Sequence, residues 1–395
     1  PEIRLVRDSR KRWSIEDRLR RKDGQPRFTG EVAIEQGRLI VLDQARGGLA
    51  TALHDVNLAL KQPQAGEGSF SLRARGAEDA FDSLEAKGRF GPKAGLTRAS
   101  IRVADLDLGY AFARLPEVRA LSISAGRAEL KGELARAGAG RDLLSALRLE
   151  AEVKGGEVSF PWLRQPVTDV QGTVVLEDGV VHLEGIEGAI AGAPVTAEGS
   201  ITGYKDPRLD LDIRATGVRY PQLRALVRNL YLPLSLALPA PLRITARVEG
   251  PASNVTVEGR ADVRVVKFRL VPWHDVVATF AYQDHKLKVR NLRAHGSPRR
   301  LEGELEVTWG ASRELAVAAD FTLSHVPADL LARMLGIQLG DIHGIASLTG
   351  KAQFDGGQSL IADLVVRQVS FRGVPLGEVR GQLELADGVV AIRRL

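Results

Sequence analysis

The stretch VSFRGVPLGEVRGQLELADGVVAI (Val369–Ile392) repeats, in close variation, the stretch VSFPWLRQPVTDVQGTVVLEDGVVHL (Val158–Leu183). A third copy surrounds Pro272, and the matching prolines, Pro166, Pro272 and Pro375, stand 106 and then 103 residues apart. Each proline is followed at a fixed distance by a valine and then by an aspartate (Val170, Val276, Val379; Asp178, Asp284, Asp387). Internal repetition of this kind predicts an array in which each unit contacts mainly its neighbours along the chain.

Apolar and polar residues alternate through most of the sequence. In LDLDIRATG (Leu209–Gly217), the residues Leu209, Leu211 and Ile213 fall on one face of an extended chain, and the charged residues fall on the other. RITARVEG (Arg243–Gly250) follows the same pattern. This period of two is typical of an antiparallel sheet with one apolar face and one solvated face.

Turn signals separate the alternating segments. Asp178-Gly179, Asp387-Gly388 and, more weakly, Gly356-Gly357 are dipeptides that favour tight hairpins. The spacing of these signals predicts about 25 to 30 short strands. The strands run as a continuous meander with short turns, and no separate set of strands is evident that would cover the apolar face.

Three segments have apolar residues at helical spacing, about once per repeat. They are VPADLLARMLGI (Val326–Ile337), YPQLRALVRNLYL (Tyr220–Leu232) and YAFARLPEVRAL (Tyr110–Leu121). We expect each to form a short amphipathic helix that caps one end of the sheet, and the first to stop at Gly336.

The repeats divide the chain into four parts. Residues 1–150 form an irregular N-terminal part, 151–259 and 260–362 are two full repeat units, and 363–395 is a truncated third unit. Because the sequence starts at Pro1 without Met and stops straight after a hairpin signal, we expect it to be a piece of a longer protein. It contains no apolar run of the about 20 residues needed to span a membrane, so an anchor and a targeting signal would lie outside it.

Residues that carry chemistry are sparse. The chain has no cysteine, which removes disulfides, thiol catalysis and thiolate metal sites. No two of the seven histidines have the spacing of a helical metal-binding pair, and neither a phosphate-binding glycine loop nor a nucleophile elbow is present. The pattern therefore predicts a protein that is not an enzyme and that uses no cofactor and no metal ion.

The net charge of +6 is concentrated in one place. Residues 4–22 contain nine basic and three acidic residues, and the rest of the chain is balanced. A nucleic-acid partner is therefore not expected. The basic stretch is either a solvated strand and loop, which we favour, or a contact with anionic lipid headgroups.

The apolar face is the candidate functional surface. If the sheet curls into an open trough, this face lines a groove that suits acyl chains, since each buried CH2 group contributes about 0.8 kcal/mol. The register is inferred, and a slip of one residue would exchange the two faces. The predicted lining consists of Val174, Leu176, Val181, Leu183, Leu209, Leu211, Ile213, Ile244, Ala246, Val248, Leu315, Val317, Phe321, Leu364, Val366, Leu383 and Leu385.

Several segments resemble one bacterial family. ITARVEGPASNVTVEGRADV (Ile244–Val263) resembles the strand–Gly–Pro–Asn–strand–Gly phrase of the TamB family, and HVPADLLARMLGIQLGDIHGIASLTGKAQF (His325–Phe354) resembles its unit of a short helix followed by Gly-x-x-x-Leu-x-Gly. LVRDSRKRWSIEDRL (Leu5–Leu19) with the segments after it is similar to the N-terminal portion of that family and of AsmA-like proteins. The likeness covers most of the chain and is best after about residue 150, and it depends on the order and repetition of degenerate motifs.

The resemblance implies both a fold and a function. It implies a mainly β protein, with an elongated, repetitive antiparallel sheet curled into a U-shaped groove and with a few short helices. Proteins of this family are anchored in the inner membrane, cross the periplasm of diderm bacteria and are thought to carry phospholipid to the outer membrane. Phospholipid acyl chains would be the partner of this chain, together with an outer-membrane β-barrel protein that docks through regions absent here.

Two other functions stay open on the sequence. The chain could be a scaffold for outer-membrane protein assembly, in which an edge strand pairs with an unfolded strand of the client protein. It could also be a purely structural β-solenoid with a closed, filled core. The strict alternation favours lipid, because a surface that binds polypeptide tolerates polar residues.

Overall fold

A computed structural model describes most of the chain. The described residues are 2–7, 14, 29–43, 49–63, 66–77, 79–91, 95–114, 122–134, 146–160, 163, 165–203, 206–222, 236–268, 271–284, 286–309, 315–335, 341–354, 358–386 and 389–393. The chain divides into two units. Unit 1 contains residues 1–161, 166–189 and 197–208, and unit 2 contains residues 162–165, 190–196 and 209–395.

The described residues form 23 strands and two helices with defined bounds. The strands are β1 (Glu2–Arg7), β2 (Gly30–Asp43), β3 (Leu49–Gln62), β4 (Gly68–Gly76), β5 (Ser83–Gly91), β6 (Gly95–Asp107), β7 (Ser122–Leu134), β8 (Leu147–Ser159), β9 (Val167–Glu177), β10 (Val180–Ile190), β11 (Ala193–Thr202), β12 (Arg208–Val218), β13 (Leu236–Ala237), β14 (Leu242–Pro251), β15 (Thr256–Phe268), β16 (Val271–Gln283), β17 (Lys286–Gly296), β18 (Arg299–Trp309), β19 (Leu315–Pro327), β20 (Ile342–Phe354), β21 (Gln358–Phe371), β22 (Val374–Ala386) and β23 (Val389–Arg393). The helices are α1 (Leu108–Ala113) and α2 (Ala328–Leu335).

The strands form antiparallel meanders, which confirms the predicted fold class. In unit 1 each strand from β2 to β8 pairs antiparallel with the next. In unit 2 the same holds from β14 to β22. One pairing differs from the prediction, because β1 runs parallel to β2.

Tight turns join the strands as the sequence predicts. Asp178 and Gly179 have φ angles of 50° and 78°, and Arg372 and Gly373 have φ angles of 50° and 80°. Positive φ at both central residues defines the type I′ turn, whose twist matches that of the flanking strands. The signals Asp387-Gly388 and Gly356-Gly357 lie outside the described residues.

Most long strands contain a β-bulge, which the sequence analysis did not predict. The register shifts at these points, for example between Leu323 and Val326 in β19 and between Val103 and Leu106 in β6. Each bulge except the one at Thr97 between β5 and β6 holds a residue with positive φ. Eight are not glycine, with φ from 48° to 58°, and they are Gln36, Asp55, Asp105, Asp169, Asp275, Asn291, His325 and Gln368. Glycines take this role at Gly126, Gly155, Gly344 and Gly377.

The bulges lie next to one another on neighbouring strands, so in each unit they form a column across the sheet. We call this the bulge column. A bulge inserts one residue, bends the strand and increases its twist. The inserted residue also shifts the alternation by one position. If odd-numbered residues lie on the apolar face before the bulge, even-numbered residues lie on it afterwards. In β19, Val317, Phe321 and Leu323 share a face before the bulge, and Val326 continues that face after it.

The bulge column divides each unit into two arms. The helix arm is the side on which the helices lie, and it includes residues 122–125 of unit 1 and 369–371 of unit 2. The free arm is the other side, and it includes residues 130–134 of unit 1 and 358–366 of unit 2. Strands that continue through a bend are longer than predicted, and several reach 13 or 14 residues.

The helices follow bulged strands at regular intervals along the chain. Helix α1 follows the bulge at Asp105, and α2 follows the bulge at His325. Residues 220–222 are helical shortly after Gly217, which also has positive φ. These sites confirm the predicted position of one short helix per repeat. Helix α1 begins before the predicted Tyr110, because the Asp107 carboxylate accepts a hydrogen bond of 2.7 Å from the Tyr110 amide and caps the helix. The remaining residues of the second predicted segment, 223–232, lie outside the described residues.

Phenylalanine lies across glycine at several points of the apolar face. Phe70 pairs with Gly88 and Phe90 with Gly68 on β4 and β5. A Cβ atom on Gly68 would lie 2.5 Å from Cζ of Phe90 and 2.7 Å from Oε1 of Gln62. The ring therefore occupies the volume that a side chain would need, which covers the glycine and fixes the register of the two strands.

We predict that Gln368→Val lowers the free energy of unfolding by about 1–2 kcal/mol, because a β-branched residue is strained at positive φ. Gln368 is exposed and has φ 55°, so the loss would reflect backbone strain more than packing. Gln368→Gly is the control and should stay within about 1 kcal/mol of the parent. Urea unfolding followed by circular dichroism measures both variants. Equal stability of the two would show that the bulge does not constrain this position.

We also predict that Gly68→Ala destabilises the chain by about 1–3 kcal/mol through contact with the Phe90 ring. Phe90→Leu should remove part of that penalty, so the double variant should be more stable than the sum of the single changes implies. The same unfolding measurement on all four proteins gives the coupling energy. Simple additivity would contradict the packing of Phe90 across Gly68.

Candidate functional site

The apolar face keeps its identity across the bulge column of each unit. In unit 1, Leu53 lies before the bulge at Asp55, and Val56 and Leu58 lie after it. Leu53, Val56 and Ala74 are buried together, with Leu39, Leu58, Leu72, Phe81 and Leu84 packed around them. Residues from both sides of the column therefore share one cluster, which a bend toward the apolar face explains.

The predicted lining residues lie on this face wherever their side chains are described. Leu209, Leu211, Val248, Leu364, Val366 and Leu383 are buried. Val174, Leu176, Val181, Leu183, Ile213, Ile244, Ala246, Val317, Phe321 and Leu385 are half-buried. The side chain of Leu315 lies outside the described part. All of these residues lie in the free arm, so none is affected by the parity change at the bulge.

In unit 2 the structure brings five lining residues together in one core. Leu364, Val366 and Leu383 belong to a buried cluster, and Phe321 and Leu385 pack against it. Helix α2 contributes Ala328 and Leu331 to the same cluster, and the helix arm contributes Val271, Trp273, Ala294, Val326 and Val369. Leu383 is only 1% exposed. A ligand could reach this side chain only if the packing of this cluster opened.

Other parts of the apolar face are less completely covered. Val174 and Leu176 of β9 and Val181 and Leu183 of β10 are half-buried residues of unit 1. In unit 2, Ile213 is half-buried between Leu211 and Ala215, which are buried. These free-arm positions are the apolar surface that a ligand could contact without displacing α2.

The opposite face is charged and carries most of the ion pairs. Arg247 contacts Asp210 at 3.0 Å, and these charges, together with Glu249, raise the pKa of the Arg247 guanidinium. A hydrogen bond from Arg260 lowers the pKa of Asp262. Both pairs are exposed to solvent, so each contributes little to the free energy of unfolding.

Two open clefts lie on the charged face. One, of about 1040 Å³, lies on the free arm of unit 1 and is lined by residues of β2 to β9. The other, of about 730 Å³, lies on unit 2 between β17 and β22. A twisted sheet is saddle-shaped. A face that is convex in the direction of the strands can therefore be concave in the direction perpendicular to them.

Within the described ranges, no group of three His, Cys, Asp or Glu side chains is placed to hold a metal ion. In the same ranges, no helix has the length and apolar character needed to cross a bilayer.

No protein-family model, no curated protein and no solved structure matches the chain. The family membership that the sequence motifs suggest therefore remains a prediction.

Sequence reasoning identified the apolar alternation but missed the bulges and the clefts. The bulges have a sequence signal, because the alternation changes phase by one residue at an Asp, Asn, Gln, His or Gly. Asp55 between Leu53 and Val56 is one case, and Asn291 between Val289 and Leu292 is another. The clefts have no such signal, since curvature across strands depends on the twist of the whole sheet.

We predict that mild acid weakens the folded chain. A hydrogen bond from Arg380, with a further contribution from Arg367, lowers the pKa of Glu378. A carboxyl whose pKa is lowered on folding contributes stability above its unfolded pKa of about 4.3, and this contribution is lost as the pH falls through the folded pKa. The unfolding temperature should therefore fall below about pH 4, and Glu378→Gln should make this fall slightly shallower. An identical pH profile for the variant would exclude a contribution from this carboxyl.

Proposed function

We propose that the chain is a segment of a lipid conduit, in which acyl chains lie along the apolar face of the free arm. The supporting observation is that this face continues from strand to strand through each unit, and that half-buried apolar residues remain on it away from the helices. An open sheet that curls toward this face would shield an acyl chain and leave a polar headgroup in water.

The proposal needs no chemical step. Movement of lipid along the face would be passive, because acyl chains gain similar burial at each successive strand. The position in the cell also belongs to the proposal. A periplasmic segment of a protein anchored in the inner membrane would carry phospholipid toward the outer membrane, as the resemblance to TamB and AsmA-like proteins implies.

One observation favours a structural β-solenoid as a second candidate. The cluster around α2 fills the apolar face of unit 2 with the chain's own side chains, including Leu331, Leu348 and Leu383. A purely structural protein would show this packing along its whole length. The two functions therefore differ in whether the half-buried positions away from α2 can bind a ligand.

Site-specific photo-crosslinking separates the two candidates. Benzoyl-phenylalanine would be placed at Leu183 or Ile213 on the apolar face, with His182 and Arg214 on the charged face as matched neighbours. Each protein would be mixed with vesicles of 1-palmitoyl-2-oleoyl phosphatidylethanolamine, irradiated and analysed by mass spectrometry.

We expect lipid adducts at Leu183 and Ile213 and few or none at His182 and Arg214, because only the first two positions face the apolar side. Ile213→Asn should reduce the phospholipid that co-purifies with the chain, as measured by native mass spectrometry. Folded proteins that give no adduct at either apolar position would contradict the conduit and favour the structural solenoid.

A further inference from the structure

The cleft of about 1040 Å³ on the charged face of unit 1 has an unusual distribution of charge. Lys61, Lys87, Arg89 and Arg98 extend into it from β3, β5 and β6, together with the hydroxyls of Ser69, Ser71 and Ser100. We call this part of the surface the basic cleft. It lies on the opposite face of the sheet from the proposed lipid surface.

The strand register places the four cations close together. Ser69 lies opposite Arg89, and Arg89 lies opposite Arg98, so two guanidinium groups start from directly paired positions. Directly paired Cβ atoms are about 5 Å apart, and like charges in such positions destabilise a sheet. Lys87 lies two residues along β5 from Arg89 and is flanked by Ser71 and Ser100.

These cations differ from Arg73 and Arg148 on the same face of unit 1. Arg73 contacts Glu85 at 3.3 Å, and Arg148 contacts Glu177 at 3.6 Å. Among the described residues, Lys61, Lys87, Arg89 and Arg98 form no ion pair. Glu31 lies opposite Lys61, and Glu133 lies opposite Ser100 at the rim, yet neither carboxylate is within ion-pair distance of these cations.

A local irregularity sets the position of Arg98. The register between β5 and β6 shifts after Arg89, so that Phe90 pairs with Leu96 and Thr97 is the extra residue. The Thr97 hydroxyl donates a hydrogen bond of 3.1 Å to the carbonyl oxygen of Arg89, and Thr97 is only 9% exposed. Bulges commonly re-aim a side chain, and here the bulge holds Arg98 opposite Arg89.

The chemistry of these groups matches one kind of ligand. Arginine binds phosphate through a planar pair of N–H groups, lysine adds a point charge, and serine hydroxyls donate further hydrogen bonds to phosphate oxygens. A concave surface with low-dielectric walls concentrates an anion near unpaired cations. A planar bilayer surface would not enter a concave cleft, whereas a single phosphate group would.

We propose that the basic cleft binds a phosphate ester group. The group could belong to a soluble phosphate ester or to the headgroup of a single phospholipid, since both present the same anion. The proposal does not depend on the lipid conduit, because the cleft and the apolar face lie on opposite sides of the sheet.

Calorimetric titration of the full chain with inorganic phosphate and with glycerol 3-phosphate tests the proposal. The test variant is Arg89→Gln with Arg98→Gln. The control is Arg264→Gln with Arg290→Gln, which makes the same change in net charge at exposed positions of unit 2. Both variants would first be compared with the parent by thermal unfolding, and we expect the test variant to be at least as stable because it removes a repulsive pair.

We expect saturable binding to the parent and to the control, and about tenfold weaker binding to the test variant, which corresponds to about 1.4 kcal/mol. Sulfate or chloride at the same ionic strength should not replace phosphate fully. Equal binding by the parent and a folded test variant, or binding that only follows ionic strength, would overturn the proposal and leave a solvated charged face.

Vesicle flotation distinguishes the two sources of phosphate. Phosphatidylglycerol vesicles that retain the parent but not the test variant, with glycerol 3-phosphate as a competitor, would support the headgroup. Binding of the soluble esters without retention on vesicles would support a soluble ligand. No saturable binding in either experiment would overturn the proposal. The photo-crosslinking result at Leu183 and Ile213 is independent of each of these outcomes.

Discussion

A strand that bends must keep its apolar side chains on one side, and the rest of this structure depends on how the chain meets that constraint. Side chains alternate between the two faces with a period of two. A strand without an inserted residue therefore keeps its apolar side chains on one face but curves little. One residue with positive φ bends the strand and changes the parity of the apolar positions. Residues such as Asp55, Asn291 and Gln368 therefore curve each unit and keep its apolar face continuous at the same time.

The bend also determines where helices can form. Beyond the bulges at Asp105 and His325 the chain leaves the strand within a few residues and enters α1 or α2. Such a short helix is not stable alone, and its stability comes from packing one apolar face against the sheet. Helix α2 contributes Leu331 to a cluster of buried residues that also contains Leu348 and Leu383. The same packing fills the apolar face locally, which limits the proposed lipid surface to positions away from the helix.

The two faces of the sheet have different proposed roles because they are made of different residues. Both faces are concave, but in different directions. The apolar face curves along the strands at the bulge column, and the charged face curves across them through twist. On the apolar face, side chains such as Phe90 fill the volume above glycines. On the charged face, the basic cleft leaves Arg89 and Arg98 facing each other without a carboxylate, and this is the feature that the phosphate proposal explains.

The sequence by itself determined the fold class, the antiparallel meander and the identity of the apolar face, because alternation and turn chemistry are local properties. The alternation around Leu211 and the turn at Asp178-Gly179 could be predicted from a few residues each. It also placed one short helix per repeat, as at Ala328–Leu335. Only the tertiary structure decided which apolar residues are fully buried. Leu383 and Leu385 have the same pattern in sequence, yet Leu383 is buried within the cluster and Leu385 is half-buried against it, since burial depends on which side chains from other strands pack around each position.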